Sequence, residues 1–580
     1  MGKRRWKGRA AAAGLLVVGA LVVLPATPAA ASPCDAGTRT IFWTGGGRTN
    51  TWFDRLNWRV VATGGPGLPG AADNVCIPNQ SPNITVTYDA NNATQIRSIE
   101  AHEALDISLG SLTINDATQP STLPKLTVDG GGLGGAAGIG VGASLDFSTG
   151  TIGGTGLLTI GQNASMTIGG AGAKVLTRDV TVQGALHWTG GDVGTGQGAV
   201  FSNAGKFDVN LGANSSFLFN QGGGAPSIVN AGAFTKGGGT GTATFQGALD
   251  NQGTLALSTS TLSVDSLTNQ ANGAVTVGSG TLLDVAGTLD QAGSVVLPGK
   301  STIAAGTYHQ TAGSTALQST SSAVHSAPGA FTLDGGTLDG VGRVDAALVV
   351  NGGTVAPGLS PGILQGTGSY TQNGGTLQIE IAGASPGSGY DRLSLGAGAT
   401  LGGTLAIDTA AGFTPSVGDS FGILTASSVT GSFGSVTGGT LAGGAFYDVR
   451  SNGGAVTLVV VKPAVSVGNV TVAEGNSGSN PASFPLTLSR SSAATVTVTV
   501  KTVNGTATAP SDYTATTKTV TFPPGTTSAT ATVPVNGDTT VEKDETFSLT
   551  VTGVTNATVA DGTGVATITN DDTKPPPTTP

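Results

Sequence analysis

Between about residues 120 and 460 the chain alternates Val, Ile, Leu and Phe with Thr, Ser and Asn in short runs, each ended by a Gly-rich turn. Such period-two alternation is strand chemistry. The runs recur at a fixed interval: Gly253, Gly273, Gly293 and Gly313 stand 20 residues apart. Each precedes a short β-rich segment, Thr254 to Leu257, Ala274 to Val277, Ser294 to Leu297 and Ser314 to Leu317. Looser members flank them, Asn203-Ala204-Gly205 and Asn230-Ala231-Gly232 upstream, Asn351-Gly352-Gly353 and Asn373-Gly374-Gly375 downstream. A unit this short cannot bury its own apolar face, whereas coils stacked at strand spacing bury a continuous core. We therefore read an all-β right-handed parallel β-helix (β-solenoid), with glycine at corners that turn tightly and in places need positive φ. A chain of small sandwiches is the competing reading, disfavoured by the short strands and the regular period. From about Ala464 glycine thins and strands lengthen, as in Thr495 to Val500. Further strands at Phe484 to Leu488, Thr519 to Phe522, Ser528 to Val535, Thr546 to Val551 and Val565 to Thr569 predict an antiparallel immunoglobulin-like β-sandwich.

The first residues add a compartment. Lys3, Arg4, Arg5, Lys7 and Arg9 precede an apolar run of 15 residues, Ala10 to Leu24, and Ala29-Ala30-Ala31 before Ser32. This is the pattern of a secretory signal peptide, and the run is shorter than the roughly 20 residues of a membrane-spanning helix. We expect a secreted or cell-surface-associated protein with no transmembrane segment after signal removal. Five of the 25 Lys+Arg leave with the signal, so 20 face 34 Asp+Glu, and nucleic acid is a poor partner. Charged residues make up 10% of the chain, but the strand patterning argues against disorder. Cys34 and Cys76 are the only cysteines. In an oxidising compartment we expect them to pair, for about 4 kcal/mol on the chain-entropy model; two free thiols are the alternative.

The expected organisation is a signal peptide at 1–31, an aromatic and disulfide-tied N-terminal cap region at 32–120, β-helix repeats at 121–351, a solenoid-closing β segment at 352–462, the sandwich at 463–572 and a Pro/Thr tail at 573–580. The string Trp43-Thr44-Gly45-Gly46, followed by Trp52 and Asn57-Trp58, resembles a motif that opens many large bacterial extracellular repeat proteins. We read its rings as a cap over the first coil rather than as a sugar-stacking surface. Gly352-Gly353-Thr354-Val355-Ala356-Pro357-Gly358, Tyr370-Thr371-Gln372, Tyr390-Asp391-Arg392-Leu393 and Gly418-Asp419-Ser420-Phe421 resemble the closing portion of passenger-type β-helices in bacterial autotransporter-like proteins. That resemblance implies the end of a solenoid and its cap.

Acidic residues in the last domain are grouped, with Glu542, Asp544 and Glu545 in one place and Asp571 and Asp572 in another. Alone, such groups read as solvated turns. The domain, however, resembles Calx-beta across nearly its whole length. The resemblance rests on Val472-Ala473-Glu474-Gly475, Asn504-Gly505-Thr506-Ala507, Ser511-Asp512-Tyr513, Phe522-Pro523-Pro524-Gly525, Asp538, Glu542-Lys543-Asp544-Glu545-Thr546-Phe547 and Thr567-Ile568-Thr569-Asn570-Asp571-Asp572. It implies Ca²⁺ ligands at Glu474, Asp512, Asp538, Glu542, Glu545, Asp571 and Asp572, with the Thr540 carbonyl as a main-chain donor. Ca²⁺ takes about six to eight oxygens in irregular geometry. Gly537 stands where strong binders carry an acid, Asn570 replaces the first residue of an Asp triplet, and Asn504 replaces an Asp. We expect fewer or weaker sites than in the tightest relatives, in the range of about 10⁻⁴ to 10⁻³ M common to extracellular modules.

We expect a structural or adhesion role toward extracellular glycans or surface proteins, with the calcium module rigidifying the C-terminal end or a domain junction, and no catalysis. The alternative is a β-helix polysaccharide lyase or hydrolase, which needs paired carboxylates, or a base beside a cation, on neighbouring coils. Its candidates are Asp284 with Asp290, and Asp334, Asp339 and Asp345 with Arg343. Asp-Gly and Gly-Asp pairs are ordinary turn chemistry, and His187, His309 and His325 lack metal-ligand spacing. The Gly-rich strings around Gly130 to Gly142 lack the Lys-Ser/Thr and helix that phosphate loops require.

Overall fold

The computed structural model describes residues 34–574. The expected signal peptide and residues 575–580 lie outside the described residues. Two compact units divide the chain after Ala164. Among the described residues the only helical segments are two three-residue 3₁₀ turns, and no helix is long and apolar enough to cross a membrane.

In the first unit, strand Ile41–Trp43 pairs antiparallel with Trp58–Val60 and parallel with Asn74–Ile77. From there the pairing is parallel: Ser98–Ala101 lies on Asn74–Ile77, Ala104–Ile107 on Thr85–Tyr88, and Ile139–Ile152 on Ser121–Gly134. Coils thus begin within the stretch read as a cap. The aromatic cluster is core: Trp43, Trp52 and Trp58 are each 1% exposed, and Trp58 meets the other two edge to face at 4.9 and 4.7 Å. Asn57 is buried because its amide ties the preceding loop, accepting from Gly47 N–H (2.9 Å) and donating to the Thr49 and Thr51 carbonyls. Cys34 and Cys76 form a disulfide.

In the second unit the short segments of the sequence period form one parallel stack, with Thr254↔Ala274↔Ser294↔Ser314 in phase. Inward residues Leu255, Val275 and Val295 are at most 1% exposed. The corner glycines are there mainly for space. Of the four only Gly313 has positive φ (64°), whereas a Cβ on Gly253 or Gly293 would overlap the carbonyl oxygen of the corner residue one coil before. Just before these corners runs a buried amide ladder. Asn203 donates to Asn230, Asn230 to Asn251, Asn251 to Asn269 and Asn269 to Gln291, each at 2.7 Å.

Parallel coils persist through Ser435–Thr437, and a hairpin of Phe446–Asn452 and Ala455–Val461 then pairs antiparallel with Ser420–Thr425. The Asp391 carboxylate is buried and accepts from Gly362 N–H (2.8 Å) and Glu380 N–H (2.9 Å), pinning a loop to the coil. Burial pushes that carboxyl up to about 6, against the pull of the two N–H groups.

The sandwich packs a four-stranded sheet, in the order Ser528–Asn536, Ser479–Leu488, Ala464–Val467, Thr558–Asp561, on a five-stranded one. The order there is Val470–Ala473, Thr563–Thr569, Glu545–Thr555, Val496–Asn504, Thr517–Phe522. Pairing is antiparallel except where the first and last strands of the domain lie side by side: Ala464–Val467 with Thr558–Asp561 and Val470–Ala473 with Thr563–Thr569 are parallel. The core holds Phe484, Phe547 and Tyr513, the last two stacked at 4.1 Å.

Candidate metal centre

Strand direction decides where the acids go. Val470–Ala473, Val496–Asn504, Ser528–Asn536 and Thr563–Thr569 all end at the same edge of the sandwich where Glu545–Thr555 begins. Glu474 follows the first of these strands, Asp512 lies in the loop after the second, Asp538, Thr540 and Glu542 in the loop after the third, and Asp571 and Asp572 after the last. Four separate segments therefore deliver the acids to one tip.

Within the tip they form two groups that share Glu542. In one, Glu474 is only 6% exposed and its carboxylate accepts no hydrogen bond among the described residues. Burial, with the charges of Asp538, Glu542, Asp572 and Asp571, pushes its carboxyl up to about 7. Asp571 Oδ1 accepts Gly475 N–H (3.0 Å), which brings the C-terminal turn against the Glu474 loop. Asp572 is raised by burial and then by Asp571 and Asp538, and its Oδ2 is buried without a hydrogen-bond partner. In the other group carboxylate oxygens of Asp512, Glu542 and Glu545 lie within 4.8 Å of one another. Burial and Asp512 raise Glu545. Asp512 is pulled below the usual carboxylate range, because hydrogen bonds from Thr508 N–H, Ser511 and Glu545 outweigh the effect of burial.

The energetics favour a cation. Two carboxylates about 4.8 Å apart repel by about 1 kcal/mol in bulk water and about 3 kcal/mol at a near-surface effective dielectric of 20. Burial and the neighbouring charges raise the carboxyls of both Glu474 and Glu545, so their ionised forms are disfavoured without a counter-charge. The donor set is oxygen alone, includes a buried carboxylate oxygen with no partner, and fits a hard divalent ion such as Ca²⁺. Thr540 is placed here by its N–H, which donates to Asp538 Oδ1 (2.6 Å).

The three departures from the family pattern have local reasons. At Gly537 a Cβ would overlap the Gly475 carbonyl, so this backbone leaves no room for an acid. Asn504 Oδ1 accepts Tyr513 O–H and Ala509 N–H, a loop brace rather than a metal-facing group. Asn570 folds the terminal turn, its Nδ2 donating to the Asp572 carbonyl (3.2 Å) and its N–H to Asp544 Oδ1 (3.1 Å). Asp544 thus anchors the turn that carries Asp571 and Asp572.

Of the solenoid carboxylates, Asp284, Asp290, Asp334 and Asp345 have side-chain partners, whereas Asp339 is raised by burial. Asp284 and Asp290 lie on one strand, Leu282–Gln291, not on adjacent strands. Asp334, Asp339 and Asp345 fall in successive segments. Asp334 takes His309 Nε2 (2.9 Å) and Asn351 Nδ2, and Asp345 takes Arg343 Nε (2.7 Å) and His325 Nδ1 (3.0 Å). His187 pairs with Asp208 (3.4 Å). The three solenoid histidines therefore each meet an aspartate of a neighbouring coil, a pairing that sequence spacing did not reveal. Cys34, Glu100 and His102 also lie close together, but the Cys34 sulfur is in the disulfide.

A search of curated proteins returns no match. Among solved structures, "Crystal structure of CBD12 from CALX1.2" matches at 21% identity and TM-score 0.18, covering 19% of this chain and 45% of that one. "Crystal structure of Apo-form Calx CBD1 domain" matches at 23% identity and TM-score 0.17, covering 19% and 99%. "Crystal structure of calcium binding domain CBD12 of CALX1.1" matches at 21% and 0.17, covering 19% and 46%. The chain thus spans less than half the length of the first of these. The sequence model of the Calx-beta domain family matches residues 447–574, so the β-solenoid is followed by a Calx-beta domain.

Proposed function

We propose that this is an exported, non-catalytic structural or adhesion protein whose Calx-beta domain binds Ca²⁺ at its acidic tip. The ligands are Glu474, Asp512, Asp538, Glu542, Glu545, Asp571 and Asp572, with the Thr540 carbonyl. The observation that carries this reading is the convergence of four loops on Glu474, buried among like charges and pushed up to about 7. A bound ion would supply the positive charge that favours the ionised form of the Glu474 carboxylate. The chain's own groups orient the site: Asp538 holds Thr540 N–H, Asp571 holds Gly475 N–H, and Asp544 holds Asn570 N–H.

The solenoid meets the sandwich at the opposite end, where the Arg490 guanidinium lies 3.7 Å over the Phe446 ring and Thr558 N–H donates to the Pro463 carbonyl. Calcium therefore stiffens the distal loops and the point where the chain leaves the domain. The solenoid, with its long regular faces, presents the surface for extracellular glycans or neighbouring surface proteins.

A thermal melt of the whole chain with EDTA or millimolar Ca²⁺ tests the metal reading. With a Kd of about 10⁻⁴ to 10⁻³ M, an ion at about 1 mM stabilises by about 0.4–1.4 kcal/mol. The shift is expected in the signal of Tyr513, the only Tyr or Trp between Ala464 and Thr573, and not in tryptophan fluorescence, which reports the cap and solenoid. Glu545→Ala should remove it. An equal shift in Glu545→Ala, or none in the wild type, rejects the site.

A further inference from the structure

On the solenoid, strand Ser215–Phe219 ends in a loop whose chemistry the structural role does not use. Phe219 is 41% exposed, the only aromatic among the exposed large hydrophobic side chains of the described residues. Its neighbours Phe217, Phe201 and Phe245 pack ring to ring inside the coils. Four amide side chains surround its strand end. Gln246 Oε1 accepts Phe219 N–H (2.8 Å), Gln221 Nε2 donates to Asn220 Oδ1 (2.8 Å), and Gln197 Nε2 donates to the Gln221 carbonyl (2.8 Å). Each amide is held by one end. Gln246 Nε2, Asn220 Nδ2, Gln221 Oε1 and Gln197 Oε1 have no side-chain or backbone partner among the described residues. Asn220 and Gln221 lie over Gly194, where a Cβ would come within 2.7 Å of Asn220 Oδ1 and 3.0 Å of Gln221 Nε2. A bare backbone is what lets the two amides lie flat there.

We infer that Phe219 with Gln197, Asn220, Gln221 and Gln246 forms a binding site for a neutral polysaccharide. An aromatic face attracts the weakly positive C–H edge of a pyranose, and held amides with one free donor or acceptor suit vicinal hydroxyls, each of which both gives and takes a hydrogen bond. None of the five residues is charged, and the nearest acid in the hydrogen-bond pattern, Asp192, accepts Ser216 N–H. None of the five side chains supplies a cation for uronates, sulfated sugars or nucleic acid phosphates. The site deepens the adhesion reading and rests on it, but not on calcium.

Native electrophoresis of the intact chain through gels containing hydroxyethyl cellulose, xyloglucan or galactomannan tests it, with EDTA in one set and Ca²⁺ in the other. The wild type should be retarded by at least one of these glycans in both sets. Phe219→Ala should weaken that by about tenfold, the value of one aromatic contact, while Phe219→Trp retains it and Gln246→Ala weakens it. Tryptophan-detected melting should be unchanged in Phe219→Ala, since the ring is exposed. No retardation by any of the three glycans, or equal retardation of Phe219→Ala, overturns the site. Loss of the calcium-induced thermal shift with retardation intact rejects the metal reading instead.

Discussion

Glu474 concentrates the physical problem of the tip in one side chain. Its carboxyl is raised to about 7 from the ordinary glutamate value of 4.5, first by burial and then by four neighbouring acids. A folded-state pKa above the unfolded one means that the contribution to stability is complete below about 4.5 and is lost as pH rises through about 7. In EDTA the sandwich's melting temperature should therefore fall between pH 5 and pH 8, by about 5 °C or more, and millimolar Ca²⁺ should cancel the fall. Glu474→Gln should flatten the profile and raise melting in EDTA at pH 8. An unchanged slope in that variant would show that the repulsion lies elsewhere. The identity of this residue was legible in Val472-Ala473-Glu474-Gly475; its burial was not, because burial depends on the C-terminal turn that Asp571 draws against it. Gly537 shows the converse. Read as a missing acid, it is a close approach of two backbones.

At the scale of the coil, the 20-residue period was legible and marks the parallel stack, since glycine recurs wherever consecutive corners touch. The amide ladder was hidden in the same strings. Asn203, Asn230, Asn251 and Gln291 each precede the corner glycine by two residues, but Asn269 precedes Gly273 by four, so a single spacing does not recover the whole stack. An inward amide costs little only while both ends are bonded. Asn251→Ala leaves Asn230 Nδ2 and Asn269 Oδ1 without their ladder partners and should cost about 1–3 kcal/mol for each group stranded. Gln252→Ala, on the outward side, should stay within about 0.5 kcal/mol. Denaturant unfolding of the solenoid, followed by Trp188 fluorescence, measures both; equal effects would make the ladder incidental.

For the whole molecule, pattern alone separated solenoid from sandwich, because strict alternation in longer strands with little glycine begins near Ala464. It did not place the acidic tip relative to the joint. That follows from strand order: the first and last strands of the domain run parallel, so the chain enters beside the solenoid hairpin and leaves at the acidic tip. Calcium should accordingly slow hydrogen exchange in residues 474–478, 505–516, 537–544 and 570–574 and leave the hairpin of Phe446–Asn452 and Ala455–Val461 unchanged. Protection confined to the hairpin would put the ion at the joint instead. The Phe219 cluster was the least legible part, since an exposed phenylalanine among amides carries no spacing signature.

Calorimetric titration of the intact chain with Ca²⁺, in parallel with Glu474→Gln and Glu545→Ala, addresses the metal centre most directly. Saturable heat in the submillimolar to millimolar range for the wild type, with proton release near pH 7 and loss of that heat in both variants, is the expected result. A wild-type chain that takes up no Ca²⁺ at millimolar concentration, or variants that bind as it does, would contradict the account.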